Sequence, residues 1–225
     1  MNSTQKKLSY QIGLGILFLA FFITTTAQTK AINKFYLHAG AGWGTYESGL
    51  FDLGVQAIIK NKWSATLSYQ SLTMRPKNRP ADYQPETGYV LFIPYTYEVE
   101  ANMTITSLTA GRYFKLGKNT WATTEGGLSY VSGDKVNFER TEVTSGNIII
   151  AASTTSNYQT TKETKSSMGV AMRADLNWGF ASFMGLGCGV FTNINSIQSP
   201  IGFQVKLLVG KMGREKKNKH KTEGL

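Results

Sequence analysis

The chain alternates apolar with small or polar residues at every second position over three stretches between residues 166 and 211. From Met168 to Trp178 the even-numbered residues are apolar, while the odd-numbered ones include Arg173, Asp175 and Asn177. Residues 184–190 and 201–209 repeat the alternation. Because successive side chains of a strand point to opposite faces, each stretch predicts a β-strand with one apolar face and one small or charged face.

The same alternation, interrupted by turn residues, predicts five more strands at about 34–43, 50–60, 63–70, 102–114 and 122–130. Links after the second, fourth and sixth strands are short, whereas two of the other links are long and span residues 74–100 and 131–165. Short turns at one rim and long loops at the other are typical of outer-membrane barrels. We therefore predict an all-β fold, an eight-stranded antiparallel up-and-down transmembrane β-barrel. The alternative is an exported soluble barrel that carries a small ligand.

Polar and charged residues recur on the face opposite the apolar residues. They are His38, Asp52, Gln56, Glu125, Arg173, Asp175, Gln204 and Lys206. Unpaired charges in the core of a soluble barrel would each cost several kcal/mol, whereas the lumen of a membrane barrel takes polar residues. We expect a filled lumen in which Arg173 and Asp175 form a charge network with Glu125. Depending on register, the network also includes either Lys206 or Arg112, since the fourth strand has an ambiguous phase.

Three tryptophans, Trp63, Trp121 and Trp178, lie beside the short turns, and Trp43 lies at the opposite end of the first strand. Indole rings favour the membrane–water interface. The tryptophans beside the short turns lie at the same level along the barrel axis and therefore predict an aromatic belt, which Phe35 and Tyr113 would extend.

The N-terminus combines Lys6 and Lys7 with an apolar run over residues 12–23 and small residues before Gln28. This pattern predicts a signal peptide over residues 1–27, because the run is too short for a membrane-spanning helix. The barrel domain would cover residues 28–213 and a basic tail residues 214–225, with the tail in the periplasm. We expect export to the outer membrane.

The net charge of +10 does not indicate a nucleic-acid partner, because residues from Lys206 onward contribute +5 of it, and a basic run at a terminus is usually solvated. Cys188 is the single cysteine, so no intrachain disulfide can form.

With its signal peptide, its alternating strands such as 35–43 and 201–209, and its unequal loops, the chain resembles small eight-stranded outer-membrane barrels of the outer-membrane protein A and X type. The resemblance covers about residues 31–213 and concerns architecture. Such barrels commonly end on an aromatic residue, whereas Lys211–Leu225 follows the last strand here.

The resemblance leaves three functions open. Enzymes of this class use a histidine, and the chain has only His38, in mid-strand, and His220, in the tail. We therefore predict no catalytic, cofactor-binding or metal-binding residues, and a structural or surface-interaction role: envelope integrity, adhesion or docking. A lipid-modifying enzyme or a small-solute channel is the alternative. The expected partners are outer-membrane lipid and lipopolysaccharide. A protein or glycan ligand could bind loops 74–100 and 131–165, the first of which is rich in tyrosine.

Overall fold

The computed structural model describes residues 32–90, 93–142, 145–148 and 151–212. The predicted signal peptide and basic tail lie outside these residues. The described strands are β1 Ile32–Gly44, β2 Ser48–Ile59, β3 Trp63–Met74, β4 Glu86–Val90, β5 Ile93–Tyr97, β6 Ala101–Lys115, β7 Thr120–Arg140, β8 Ser145–Ile148, β9 Ala151–Thr154, β10 Tyr158–Trp178, β11 Met184–Ile194 and β12 Ile201–Lys211. In this part of the chain, no helix is long and apolar enough to span a bilayer.

Eight of these strands form a closed ring in the order β1-β12-β11-β10-β7-β6-β3-β2. Every pair is antiparallel. Pairing of β1 with β12, from Phe35↔Lys211 to Gly44↔Gly202, closes the ring, so the barrel has no free edge. The predicted eight-stranded up-and-down barrel is confirmed.

The polarity of the barrel is the reverse of that of a water-soluble protein. Leu108, Leu128 and Met168 are 64%, 65% and 66% exposed on the outer wall, whereas Asp52 and Gln204 are fully buried inside. Such an outer wall requires lipid around it, and a closed ring leaves no backbone group unpaired there. The fold is a transmembrane β-barrel.

The long loops are largely strand. β7 and β10 pair without a break from Thr120↔Trp178 to Arg140↔Tyr158, so much of the long link at residues 131–165 is an extension of these two barrel strands. The far part of β10 is exposed on both faces, and strands wetted on both sides need no apolar alternation. Beyond the barrel, β5-β4-β9-β8 form a separate four-stranded sheet, in which the β4–β5 hairpin from the first loop pairs with β9 from the second.

Three side chains near the short turns point in other directions than predicted for the aromatic belt and the lumen. Trp63 and Trp178 face outward as expected, but Trp121 is 1% exposed and points into the barrel, as does Tyr113. Arg112 points outward, with its guanidinium carbon 4.3 Å from the centroid of the Trp63 ring. Arg112 therefore does not join the lumen, and Trp121 and Tyr113 do not join the belt.

Candidate functional site

A layer of buried charges crosses the middle of the lumen. Arg173 on β10 is the hub: its Nη2 lies 3.2 Å from Asp52 Oδ2 on β2, and its Nε lies 3.1 Å from Asp175 Oδ2. Lys206 Nζ on β12 lies 2.6 Å from the other Asp175 oxygen, and His38 Nε2 on β1 lies 3.2 Å from Asp52 Oδ2. The expected network therefore exists with Lys206, but Arg173 contacts Asp52 in addition to its neighbour Asp175.

Glu125, which we expected beside Arg173, is held by neutral groups. Gln56 Nε2 donates a hydrogen bond to Glu125 Oε1 at 2.6 Å, and the Thr109 hydroxyl donates to Oε2 at 2.7 Å. The Tyr36 hydroxyl donates to Gln56 Oε1, and Trp121 Nε1 donates to the Tyr36 hydroxyl at 3.3 Å. These bonds connect Glu125 to Trp121 at the short-turn end of the barrel.

Apolar side chains cover the charged layer at both ends. At the short-turn end the cluster is Tyr36, Ile58, Tyr113, Trp121, Leu208 and Met212. At the long-loop end it is Leu50, Leu72, Met74, Tyr83, Val99, Ala101, Met103, Ile105, Val131, Val136 and Phe191. Ions that would cross the barrel therefore meet packed apolar side chains on either side of the charged layer.

These two clusters were missed at the sequence level for different reasons. The inward phase of Trp121 follows from its odd number, which it shares with Thr123 and Glu125 on β7, so its phase was available from the sequence. Leu72 and Met74 lie beyond the predicted end of the third strand, and their inward direction depended on extending that strand.

His38 is packed as a structural residue. It is 1% exposed, and a side-chain carbon added at Gly54 would lie 2.6 Å from its Cε1. Its Nε2 lies 3.2 Å from Asp52 Oδ2. Within the described ranges, no group of three or more His, Cys, Asp or Glu is arranged to hold a metal ion.

Above the barrel, an aromatic cluster joins the two long connections. Tyr83 from the first connection packs edge-on against Phe138 of β7 at 5.5 Å and lies 6.3 Å from the Tyr158 ring of β10. Arg79 stacks on Tyr83 and lies 3.2 Å from Glu98. The extended hairpins are therefore a packed cap above the barrel.

The Tyr158 hydroxyl donates a 2.8 Å hydrogen bond to Asp82 Oδ1. This bond to a carboxylate and the negative charge of Asp82 raise the pKa of Tyr158 above its ordinary value, because both favour the protonated phenol.

A groove of about 370 Å³ opens in this cap beside the base of the four-stranded sheet. Tyrosine rings, two carboxylates and several hydroxyl or amide groups line it: Tyr83, Glu86, Tyr97, Val99, Thr141, Glu142, Thr155, Ser156, Tyr158, Gln159 and Thr160. Tyr97 is 60% exposed and pairs with Glu86, so the two side chains share one face of the sheet. Aromatic rings beside hydrogen-bonding groups can bind a sugar ring or a peptide.

No protein-family model and no curated protein matches this chain. Solved structures do. The N-terminal β-barrel domain of OprF from Pseudomonas aeruginosa is 12% identical, with 80% of this chain and 99% of that chain covered and a TM-score of 0.47. Ail, the attachment invasion locus protein of Yersinia pestis, is 10% identical, with 81% and 99% covered and a TM-score of 0.44. A designed transmembrane β-barrel is 7% identical, with 79% and 95% covered and a TM-score of 0.42. The architecture of this chain rests on its own strand pairing: it is an eight-stranded transmembrane barrel that carries a folded cap.

Proposed function

We propose that this chain is an outer-membrane protein, exported by a signal peptide over residues 1–27, that binds a protein or glycan at the cell surface through its cap. The cap consists of the β7–β10 extension and the β5-β4-β9-β8 sheet. One observation carries the proposal: the lumen is filled and covered at both ends, while the strands continue outward into a folded aromatic surface. In outer-membrane barrels the short turns face the periplasm, and this general rule supports a cap on the outside of the cell.

The closed lumen argues against a solute channel. Arg173, Lys206 and the buried carboxylates neutralise one another inside the barrel, and Trp121 and Phe191 belong to the apolar clusters on either side. Stable openings would require these packed side chains to leave their positions.

Burial of His38 argues against a lipid-modifying enzyme. A catalytic base must come within hydrogen-bond reach of the substrate proton, and His38 is enclosed between Asp52 and Gly54 inside the wall. We propose a non-catalytic role that combines envelope structure with surface docking, surrounded by outer-membrane lipid and lipopolysaccharide.

The cap offers a matched pair of variants for testing the docking role. Tyr97 and Tyr89 are 60% and 57% exposed on the same small sheet. They lie on opposite faces, because Tyr89 pairs with Pro94, and residues 94 and 97 are three positions apart on one strand. Only Tyr97 lines the groove.

The test uses labelled barrel in lipid nanodiscs on an array of printed glycans and extracellular-matrix proteins. We expect the parent to bind a subset of these probes, and Tyr97→Ser to weaken that binding by roughly tenfold or more, the loss typical of an anchoring aromatic residue. Tyr89→Ser should stay close to the parent. A parent that binds no probe, or equal losses for the two variants, would contradict the proposal.

A further inference from the structure

Charge is unevenly distributed along the barrel axis. The described short-turn end carries seven basic residues and no carboxylate: Lys34, Lys60, Lys62, Arg112, Lys115, Lys118 and Lys211. The described carboxylates all lie in the lumen or toward the cap. Much of the net positive charge therefore belongs to the folded wall at this rim, in addition to the terminal segments.

The basic residues are also uneven around the rim. Lys60 and Lys62 lie in the turn between β2 and β3, Arg112 and Lys115 lie on β6, and Lys118 lies in the turn that follows β6; β2, β3 and β6 are neighbours in the ring. The turn between β10 and β11, farther round the ring, has Trp178, Phe180 and Phe183 and no charged residue. One sector is cationic and another is aromatic.

Trp63 is the centre of the cationic sector. Its ring is 47% exposed on the lipid-facing wall, with the Arg112 guanidinium carbon 4.3 Å and Lys62 Nζ 5.9 Å from the ring centroid. The backbone N–H of Tyr113 donates to the Lys62 carbonyl at 3.1 Å, which fixes the turn against β6. Neither Lys62 nor Arg112 forms an ion pair with another described residue.

We propose that Lys62 and Arg112 bind the phosphate of an anionic phospholipid headgroup, with the Trp63 ring packed against the lipid below it. Both cations project from the wall at the level where an exposed indole marks the membrane interface, so a headgroup reaches them without any rearrangement. A guanidinium and an ammonium together match a phosphodiester in charge and in hydrogen-bond donors. The inference rests on the proposed membrane orientation, in which this rim meets the periplasmic leaflet.

The position of the two cations favours a lipid over a soluble anion or a protein. Arg112 shares the outward face of β6 with Leu108 and Phe114, which are exposed to the membrane interior and its boundary. A soluble anion would contact only the cations, whereas a phospholipid contacts both the cations and the apolar surface beside them.

Native mass spectrometry of the detergent-purified barrel with added phosphatidylglycerol or phosphatidylcholine tests the site. Each basic residue near an anionic lipid surface contributes roughly a fivefold gain in affinity, so the parent should retain phosphatidylglycerol at least fivefold more tightly. Lys62→Gln with Arg112→Gln should abolish that preference, and Lys62→Arg with Arg112→Lys should keep it. Lys135→Gln with Lys162→Gln, in the cap, removes the same charge and should also keep it.

Two further measurements keep the test decisive if the Gln variant fails to insert. In the parent, the preference should decrease as salt is raised, and glycerol 3-phosphate without acyl chains should not displace the lipid. Equal retention of the two lipids, equal loss in the cap control, or displacement by glycerol 3-phosphate would overturn the site. Insertion is scored separately by heat-modifiable migration on a gel, so failure of the membrane assignment is distinguishable from failure of this site.

Discussion

Removal of Arg173 tests the charged layer most sharply. Its guanidinium contacts Asp52 and Asp175, and its side chain is 4% exposed while both carboxylates are fully buried. Arg173→Met leaves Asp175 with Lys206 and Asp52 with His38 as their remaining basic neighbours. Loss of one partner from a buried ion pair costs roughly 3–5 kcal/mol. For a chain of this size, that corresponds to a fall of about 6–20 °C in unfolding temperature.

A matched pair of second-site changes distinguishes the contacts of Arg173. Adding Asp52→Asn to Arg173→Met removes a carboxylate that has lost its guanidinium partner and leaves the 2.6 Å pair between Lys206 and Asp175 intact. Adding Asp175→Asn removes equal charge but breaks that pair. The first double variant should therefore recover more of the lost stability than the second.

The assay is thermal unfolding in detergent, followed by circular dichroism and by heat-modifiable migration on a gel. If Arg173→Met unfolds at the parent temperature, or if the two double variants recover equally, the arrangement of charges described here is wrong.

Three other predictions concern the barrel wall, the apolar cluster at the short-turn end and the cap. A side-chain carbon at Gly127 would overlap a carbonyl oxygen of the neighbouring strand, whereas the nearest atom to one at Gly126 is 4.0 Å away. Gly127→Ala should therefore reduce the folded fraction seen on a gel, and Gly126→Ala should leave it unchanged. Trp121→Ala leaves a cavity in the apolar cluster at the short-turn end and should lower the free energy of unfolding in denaturant by roughly 3–5 kcal/mol. An unchanged unfolding midpoint would contradict this packing. Tyr158 should ionise at higher pH than an exposed tyrosine in an NMR titration, because its pKa is raised by the Asp82 carboxylate, and Asp82→Asn should remove the difference.

The barrel and its charged layer followed from the alternation of residues, because each strand inside the membrane has one face toward lipid and one toward the lumen. That rule placed Asp52, Arg173 and Lys206 inside correctly. It does not apply above the membrane, where the ends of β7 and β10 meet water on both faces, and so the alternation does not predict the strands of the cap.

Contacts between residues distant in the chain were harder to predict. Trp63 and Arg112 are 49 positions apart and meet only because β3 pairs with β6 in that register. The pairing register of β3 with β6 cannot be derived from the alternation alone. The sequence therefore does not show which face of β6 carries Arg112 or that basic residues gather at this rim. Trp121 shows a different limit. Its position beside a short turn suggests the aromatic belt, but its alternation with its neighbours on β7 directs it into the lumen.

Spin labels along the outer stripe of β10 test the central claim, a polar-cored barrel surrounded by lipid. In a Cys188→Ser background, single cysteines replace Met168 and Met172 on the apolar wall and Lys162 and Thr164 farther along the same face. Paramagnetic resonance in liposomes then compares relaxation by oxygen, which concentrates in lipid, with relaxation by a water-soluble nickel chelate. If the barrel wall lies in lipid, relaxation by oxygen should exceed relaxation by the nickel chelate at positions 168 and 172. The reverse should hold at positions 162 and 164. Strong nickel relaxation at all four positions would contradict it.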